Sequence, residues 1–128
     1  MRIRGTDFVM FSVSDLMAAV SFYRDILGLR CVIVSAKHQW AEFDCGNVTL
    51  ALRGRSLTAG TRAGGQIALA VDDVSEAHET LVNARVHIDG APTDSGFCIA
   101  LRIHDPDGNL VILHKRADGT YGQSREPQ

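Results

Sequence analysis

Two stretches of this chain share one pattern. Phe8-Val-Met-Phe-Ser-Val-Ser-Asp-Leu16 is an apolar run ending in a short polar step, and Gln66-Ile-Ala-Leu-Ala-Val-Asp-Asp-Val74 repeats it. A segment of helical character follows each copy. An apolar run behind a Gly-Asn pair, Gly46-Asn47 and then Gly108-Asn109, closes each half. Two copies of one supersecondary unit make two half-structures that need each other. A cleft between such halves is a natural place for a ligand.

The local signals fill in the unit. Phe8 to Val13 is nearly all apolar and reads as a strand buried on both faces. Alternation puts Phe8, Met10 and Ser12 on one side and Val9, Phe11 and Val13 on the other. Ser14 or Asp15 caps a helix running to about Leu27, with an apolar stripe of Leu16, Ala19, Val20, Tyr23 and Leu27 and a stop at Gly28. Strands follow at Arg30 to Ser35, Gln39 to Asp44 and Val48 to Leu52. In the second half a strand spans Gln66 to Val71, and Asp72 or Asp73 caps a helix over about Val74 to Asn83, with Glu76 placed as in a capping box. Val86 to Ile88 is a short strand and Asp89 to Gly96 a loop. Phe97 to His104 and Leu110 to Lys115 are strands flanking the turn Asp105-Pro-Asp-Gly-Asn109. Each half therefore reads βαβββ. The modules cover residues 5–53 and 65–115 of one domain. Residues 53–65, with Arg53, Arg55 and Arg62, form the linker, and residues 116–128 a loosely held tail.

Composition narrows the function classes. A chain of 128 residues supports one domain with a single core. Its net charge of -2 gives no basic footprint for nucleic acid. No apolar stretch reaches the ~18 residues of a membrane span, and Met1 to Gly5 carries no signal-peptide core. Cys31, Cys45 and Cys98 are odd in number and widely spaced, which suits buried thiols in a reducing compartment. The expected location is cytoplasmic.

Four motifs in this order carry a resemblance. They are Val13-Ser-Asp-Leu16, Phe22-Tyr23 with Leu27-Gly28, Val71-Asp-Asp-Val74 and Asp105-Pro-Asp-Gly-Asn109 before a terminal apolar strand. With them the chain resembles the vicinal-oxygen-chelate superfamily of glyoxalase, bleomycin-resistance and extradiol dioxygenase proteins, over about residues 5–115. The resemblance implies an α+β fold of two βαβββ modules, whose eight strands form an incompletely closed cup around the ligand. It also implies a homodimer, the common state of single-domain members.

Enzymes of that family hold a divalent metal in the cup through His, Gln and Glu on the first and last strands of each module. The ion acts as a Lewis acid on substrate oxygens. Here the corresponding positions are Phe8, Gln66, Ile112 and either Leu50 or Ala51. Only Gln66 could act as a ligand, and a lone amide will not hold a divalent ion. A rearranged site would need Gln66, His114 and either Glu42 or His104, the last two at comparable positions on the third strands. Glu42 reads instead as lying on an exposed strand edge, and His104 as solvent-facing. His38, His78 and His87 receive no function. No catalytic constellation emerges: Ser12 lacks triad partners, and no cysteine has a recognisable base.

The expectation is therefore a cup without metal or cofactor. Its apolar floor is Phe8, Met10 and Ile112 with Ala68, Ala70 and Leu110. Gln66 and His114 are polar contacts, Ser12 lines the same side, and Trp40 is a stacking surface. The function this favours is a small-molecule-binding protein that sequesters an antibiotic or metabolite. The alternatives are a lyase, epimerase or dioxygenase-like enzyme, with His114 as proton shuttle if no metal is used, and a structural or regulatory dimer with a filled cup.

Overall fold

The computed structural model of the chain describes residues 2, 4, 6–56 and 65–122. Among them the order is β1 (Phe8–Val13), α1 (Leu16–Ser21), a π-helical turn (Phe22–Ile26), β2 (Arg30–Ser35), β3 (Trp40–Asp44) and β4 (Thr49–Gly54). The second half runs β5 (Gln66–Ala70), α2 (Val74–Asn83), β6 (His87–Ile88), β7 (Thr93–Asp94), β8 (Cys98–His104) and β9 (Leu110–Arg116). The strands form two open mixed sheets, ordered β1-β4-β3-β2 and β5-β9-β8-β6, with β7 also paired to β8. Nine strands stand where eight are expected. The addition, β7, is a two-residue pairing of the Asp89–Gly96 loop with Ile99 and Ala100. No helix among the described residues is long and apolar enough to cross a membrane.

The residues fall into two compact units. One runs to Gly65 and takes in Asp105–Asn109; the other comprises Gln66–His104 and the chain from Leu110. In both, the first and last strands are parallel neighbours, β1 with β4 and β5 with β9. The helix start is also the same in both. Asp15 accepts from the Ala18 N–H and Asp73 from the Glu76 N–H, each at 3.1 Å from an extended backbone. A short side-chain oxygen at that position satisfies a donor the helix leaves orphaned, which decides for Asp15 over Ser14 and for Asp73 over Asp72.

In the first unit α1 packs on β3 and β4. Its buried residues Leu16, Ala19 and Val20 meet a sheet face whose Phe11, Val13, Ala41, Phe43, Leu50 and Leu52 are almost fully buried. The helix departs from the expected single span to Leu27. After Ser21 the bonds widen to the π pattern, with Leu27 N–H donating to the Phe22 carbonyl at 3.0 Å. Phe22 and Tyr23 thereby both face inward, while Leu27 is only half-buried. Gly28, at φ 74°, then turns the chain out. In the second unit α2 packs on β8 and β9, burying Val74 and Leu81 against a face that includes Leu101, Ile103, Val111 and Leu113.

The linker begins later than expected. β4 continues to Gly54 because Arg53 and Gly54 pair with Ser12 and Val13 of β1. Residues 57–64, with Arg62, lie outside the described residues, as do Met1, Ile3, Gly5 and the tail from 123.

Candidate functional site

Each helix covers one side of its sheet, which leaves the opposite side open. On the first sheet the register sets Phe8 beside Thr49 and Asp44, Met10 beside Ala51 and Glu42, and Ser12 beside Arg53 and Trp40. These rows form the open face. Phe8 is 50% exposed and Met10 44% exposed, so β1 is not buried on both faces. The correction has a simple cause: only the Val9, Phe11 and Val13 side lies against α1's side of the sheet. The Phe8 and Trp40 rings meet edge to face, with centroids 6.0 Å apart and planes at 87°. An aromatic edge thus lies on an accessible surface, ready to stack on a flat molecule.

On the second sheet Gln66 lies beside Leu110 and His104, Ala68 beside Ile112 and Arg102, and Ala70 beside His114 and Ala100. Gln66 is exposed; Ile112 and His114 are half-buried. Gln66 and His114 share a face but are four residues apart in register, about 13 Å at about 3.3 Å per residue. The sheet does not bring them together on one reacting group.

The register also resolves the fourth family metal position. Leu50 and Ala51 are both fully buried, but Leu50 lies on the helix side, whereas Ala51 lies in the row of Met10 and Glu42 on the opposite side, as Ile112 lies beside Ala68 in the second sheet. The positions the resemblance assigns to the ligands are then Phe8, Ala51, Gln66 and Ile112. A benzyl, a methyl, an amide and a sec-butyl group offer one donor between them. They do not fit a divalent ion that takes imidazole and carboxylate ligands.

Three sequence expectations are corrected here. Glu42 is not on an edge: β3 lies between β4 and β2, and Glu42 is half-buried beside Ala51. Glu42 and His104 are also not equivalent. His104 shares a row with Gln66, as Asp44 does with Phe8, and Arg102 is the counterpart of Glu42. Nor is His104 simply solvent-facing. It is half-buried, its Nε2 lies 3.1 Å from Asp89 Oδ2, and its ring sits 4.7 Å from that of His87. His87 received no function from the sequence. The signal that would have found the group is the His-Ile-Asp spacing, which puts His87 and Asp89 on one side of a strand.

The Asp105–Asn109 turn has a structural task. Asp105, 4% exposed, accepts from Tyr23 Oη at 2.9 Å, from the N–H groups of Asp107 and Asn109, and from Asn109 Nδ2. Asn109 Nδ2 also donates to the Ser12 carbonyl, and Ser14 N–H donates to the Asp107 carboxylate at 3.0 Å. The turn therefore ties off the end of β1 just where the open-face row from Phe8 to Ser12 ends. Burial, and then the Asp105 carboxylate, push the Tyr23 hydroxyl far above its ordinary range. It stays a donor and is no acid. Burial likewise pushes the Cys45 thiol up, with Asp44 adding to the effect, which makes it a poor nucleophile at neutral pH. All three cysteines are free.

The model of the Glyoxalase/Bleomycin resistance protein/Dioxygenase superfamily matches residues 5–113. The chain belongs to this superfamily, the vicinal-oxygen-chelate group. Solved structures of the superfamily's fold agree. A superfamily member from Sphaerobacter thermophilus is 26% identical with a TM-score of 0.72, covering 88% of this chain and 97% of its own. A lactoylglutathione lyase from Agrobacterium tumefaciens is 24% identical with a TM-score of 0.73, over 88% and 94% of the two chains. TnmS3, an antibiotic binding protein from a Streptomyces species, is 23% identical with a TM-score of 0.76, over 91% and 99%. No curated protein matches the chain by sequence. The superfamily includes both enzymes and antibiotic-binding members, so membership fixes the fold and leaves the chemistry to the open faces.

Proposed function

We propose that this protein binds a small, flat, partly aromatic molecule and does so without the superfamily's metal. One observation carries the reading: of the positions the resemblance assigns to the ligands, Phe8 and Ile112 are apolar and accessible on the sheet faces away from the helices, Ala51 is a buried methyl beneath the same face, and Gln66 is left as the one donor among the four. Those groups suit a pocket that excludes water and orients its guest by few polar contacts. Phe8, Met10 and Trp40 give the aromatic and sulfur-bearing surface. Ser12, Gln66, Ile112 and His114 are the further contact residues. The fold likeness to an antibiotic-binding protein makes sequestration of an antibiotic or metabolite the natural role. The reading takes the working form as a homodimer in the cytoplasm, and light scattering on the purified protein tests the oligomeric state.

The deciding experiment is a thermal-shift screen with flat heteroaromatic compounds, followed by Trp40 fluorescence. A binder raises apparent stability by RT ln(1 + [L]/Kd), about 2.7 kcal/mol at a hundredfold excess over Kd. Hits should quench or shift Trp40 emission, and Phe8→Ala should weaken them. A broad library that yields neither a thermal shift nor an emission change refutes the reading. So does a stoichiometric ion whose binding is lost in Gln66→Ala.

A further inference from the structure

The second sheet gathers three metal-capable side chains that lie outside the family positions. His87, Asp89 and His104 each present a ligand atom, and these atoms lie within 4.8 Å of one another. Their placement follows from the strand pairing. His87 is directly opposite His104 across the antiparallel β6–β8 pair, and the Asp89 N–H donates to the Arg102 carbonyl at 2.8 Å in the next ladder position. His87 and Asp89, two residues apart, therefore flank His104 from one side of the same short segment.

We infer that His87, Asp89 and His104 form a binding site for a first-row transition dication such as Zn²⁺ or Ni²⁺. Two imidazoles and one carboxylate are a donor set these ions favour, and three protein ligands leave positions open for water or an oxygen ligand. The geometry is close to what an ion requires. Ligand atoms around a tetrahedral ion at about 2.0–2.2 Å stand about 3.4 Å apart. Asp89 Oδ2 and His104 Nε2 are already 3.1 Å apart. The ligand atom of His87 lies within 4.8 Å of both, and the side chain is exposed, so a change of its rotamer could close the rest.

The repeat supplies a second argument. The same register position in the first sheet holds Arg30 opposite Asp44, an ordinary pair of opposite charge. In the second sheet the pair is His87 opposite His104. The two rings also touch, with centroids 4.7 Å apart, so the pair places two imidazole nitrogens side by side where the first sheet has an ion pair. The exposed Arg102 lies beside Asp89, and its charge limits the affinity expected. His104 shares a row with Gln66, two strands away across Leu110, and His87 lies one strand farther along the same row. The ion would therefore sit about 10 Å from the family position, and the inference stands apart from the small-molecule reading.

The test uses the full chain with no affinity tag, stripped by a chelator and titrated calorimetrically with Zn²⁺ and with Ni²⁺. The expected result is one ion per chain, with affinity falling at least tenfold in His87→Ala and in His104→Ala, and less in Asp89→Asn. His38→Ala, in the turn before β3, should bind as the parent does. His87 and Asp89 are exposed, so their variants should keep the parent's metal-free melting profile, and either one gives a reading if the other fails to fold. Absence of binding by the parent overturns the inference. So does binding that His87→Ala and Asp89→Asn both leave intact, because the ion would then be elsewhere.

Discussion

Replacing Tyr23 by Phe removes one atom from the buried network that holds the Asp105–Asn109 turn to the end of β1. The hydroxyl donates to Asp105 at 2.9 Å, and Tyr23 is fully buried. A hydrogen bond to a charged group contributes about 1.5–3 kcal/mol. Asp105 keeps three other donors, from Asp107 N–H, Asn109 N–H and Asn109 Nδ2, so the loss at pH 7 should be near 2 kcal/mol, toward the lower end of that range. The pH dependence is the sharper part. Burial and the Asp105 carboxylate raise the folded-state pKa of Tyr23 above its ordinary 10.0. Above that pH the unfolded chain releases the phenolic proton and the folded chain keeps it. The unfolded state then binds fewer protons, and stability falls with rising pH by about 1.4 kcal/mol per unit from this group. Below about pH 9 the contribution is fully present.

Tyr23→Phe has no such proton. The difference in stability between parent and variant should therefore shrink from about 2 kcal/mol at pH 7 to about 0.6 kcal/mol at pH 11. Urea unfolding followed by far-ultraviolet circular dichroism at pH 7, 9, 10 and 11 measures it. Every other titrating group is common to the two proteins and cancels in the difference. A gap that stays constant from pH 7 to pH 11 would refute the reasoning, since Tyr23 would then ionise as freely in the folded state as in the unfolded. A gap of zero at pH 7 would show that the hydroxyl contributes nothing to the tie.

Other consequences follow from single side chains. Asp73→Ala should cost about 1 kcal/mol in urea unfolding by leaving the Glu76 N–H uncapped. Leu101→Ala, at a fully buried position facing α2's side of the second sheet, should cost about 2–5 kcal/mol in the same assay. Phe8→Ala should change the Trp40 emission maximum by removing the edge-to-face contact, yet cost at most about 1.5 kcal/mol, because Phe8 is half exposed.

Much of the fold was legible because its signals are local. The Asp15 and Asp73 caps, the Gly28 stop and the turn at Gly108 are each dictated by a few neighbouring residues. The period-two pattern also told the two sides of β1 apart. What it could not tell was whether both sides are covered, since an apolar side chain reads the same in a core and on a binding surface. Phe8 and Met10 therefore read both as part of a strand buried on two faces and as the floor of a ligand cup. Register was the other blind spot. Sliding a strand by two residues keeps every side chain on its face. Such a slip is why sequence matches Glu42 with His104 where pairing matches Glu42 with Arg102; Leu50 and Ala51, on opposite faces, stay unresolved because both are apolar and the run Thr49 to Leu52 has no clear alternation. The His87–Asp89–His104 group escaped for the same cause: its members join only through the pairing of a two-residue strand. The π-helical turn at Phe22–Ile26 has no comparable sequence signal, and nothing in the residues alone distinguishes it from a continued helix.

The two halves of the chain show where folding constrains and where it does not. Their helix-facing sides agree in character: Phe11, Val13, Leu50, Leu52, Ala41 and Phe43 in one, Leu69, Val111, Leu113, Leu101 and Ile103 in the other. Each such position is held by the free energy of burial, about 25 cal/mol per Å² of apolar surface, so polar replacements there are costly. The opposite faces bury less, Ala51 excepted, and they differ row by row. Phe8, Thr49 and Asp44 stand against Gln66, Leu110 and His104; Ser12, Arg53 and Trp40 stand against Ala70, His114 and Ala100. Substitution at Phe8, Gln66 or Ile112, on the faces away from the helices, therefore perturbs the scaffold less than substitution on the helix sides. The same freedom allows an aromatic surface on one sheet and an imidazole–carboxylate group on the other. A duplicated unit can keep one folding solution and carry two unrelated chemistries when burial is confined to one side of each sheet.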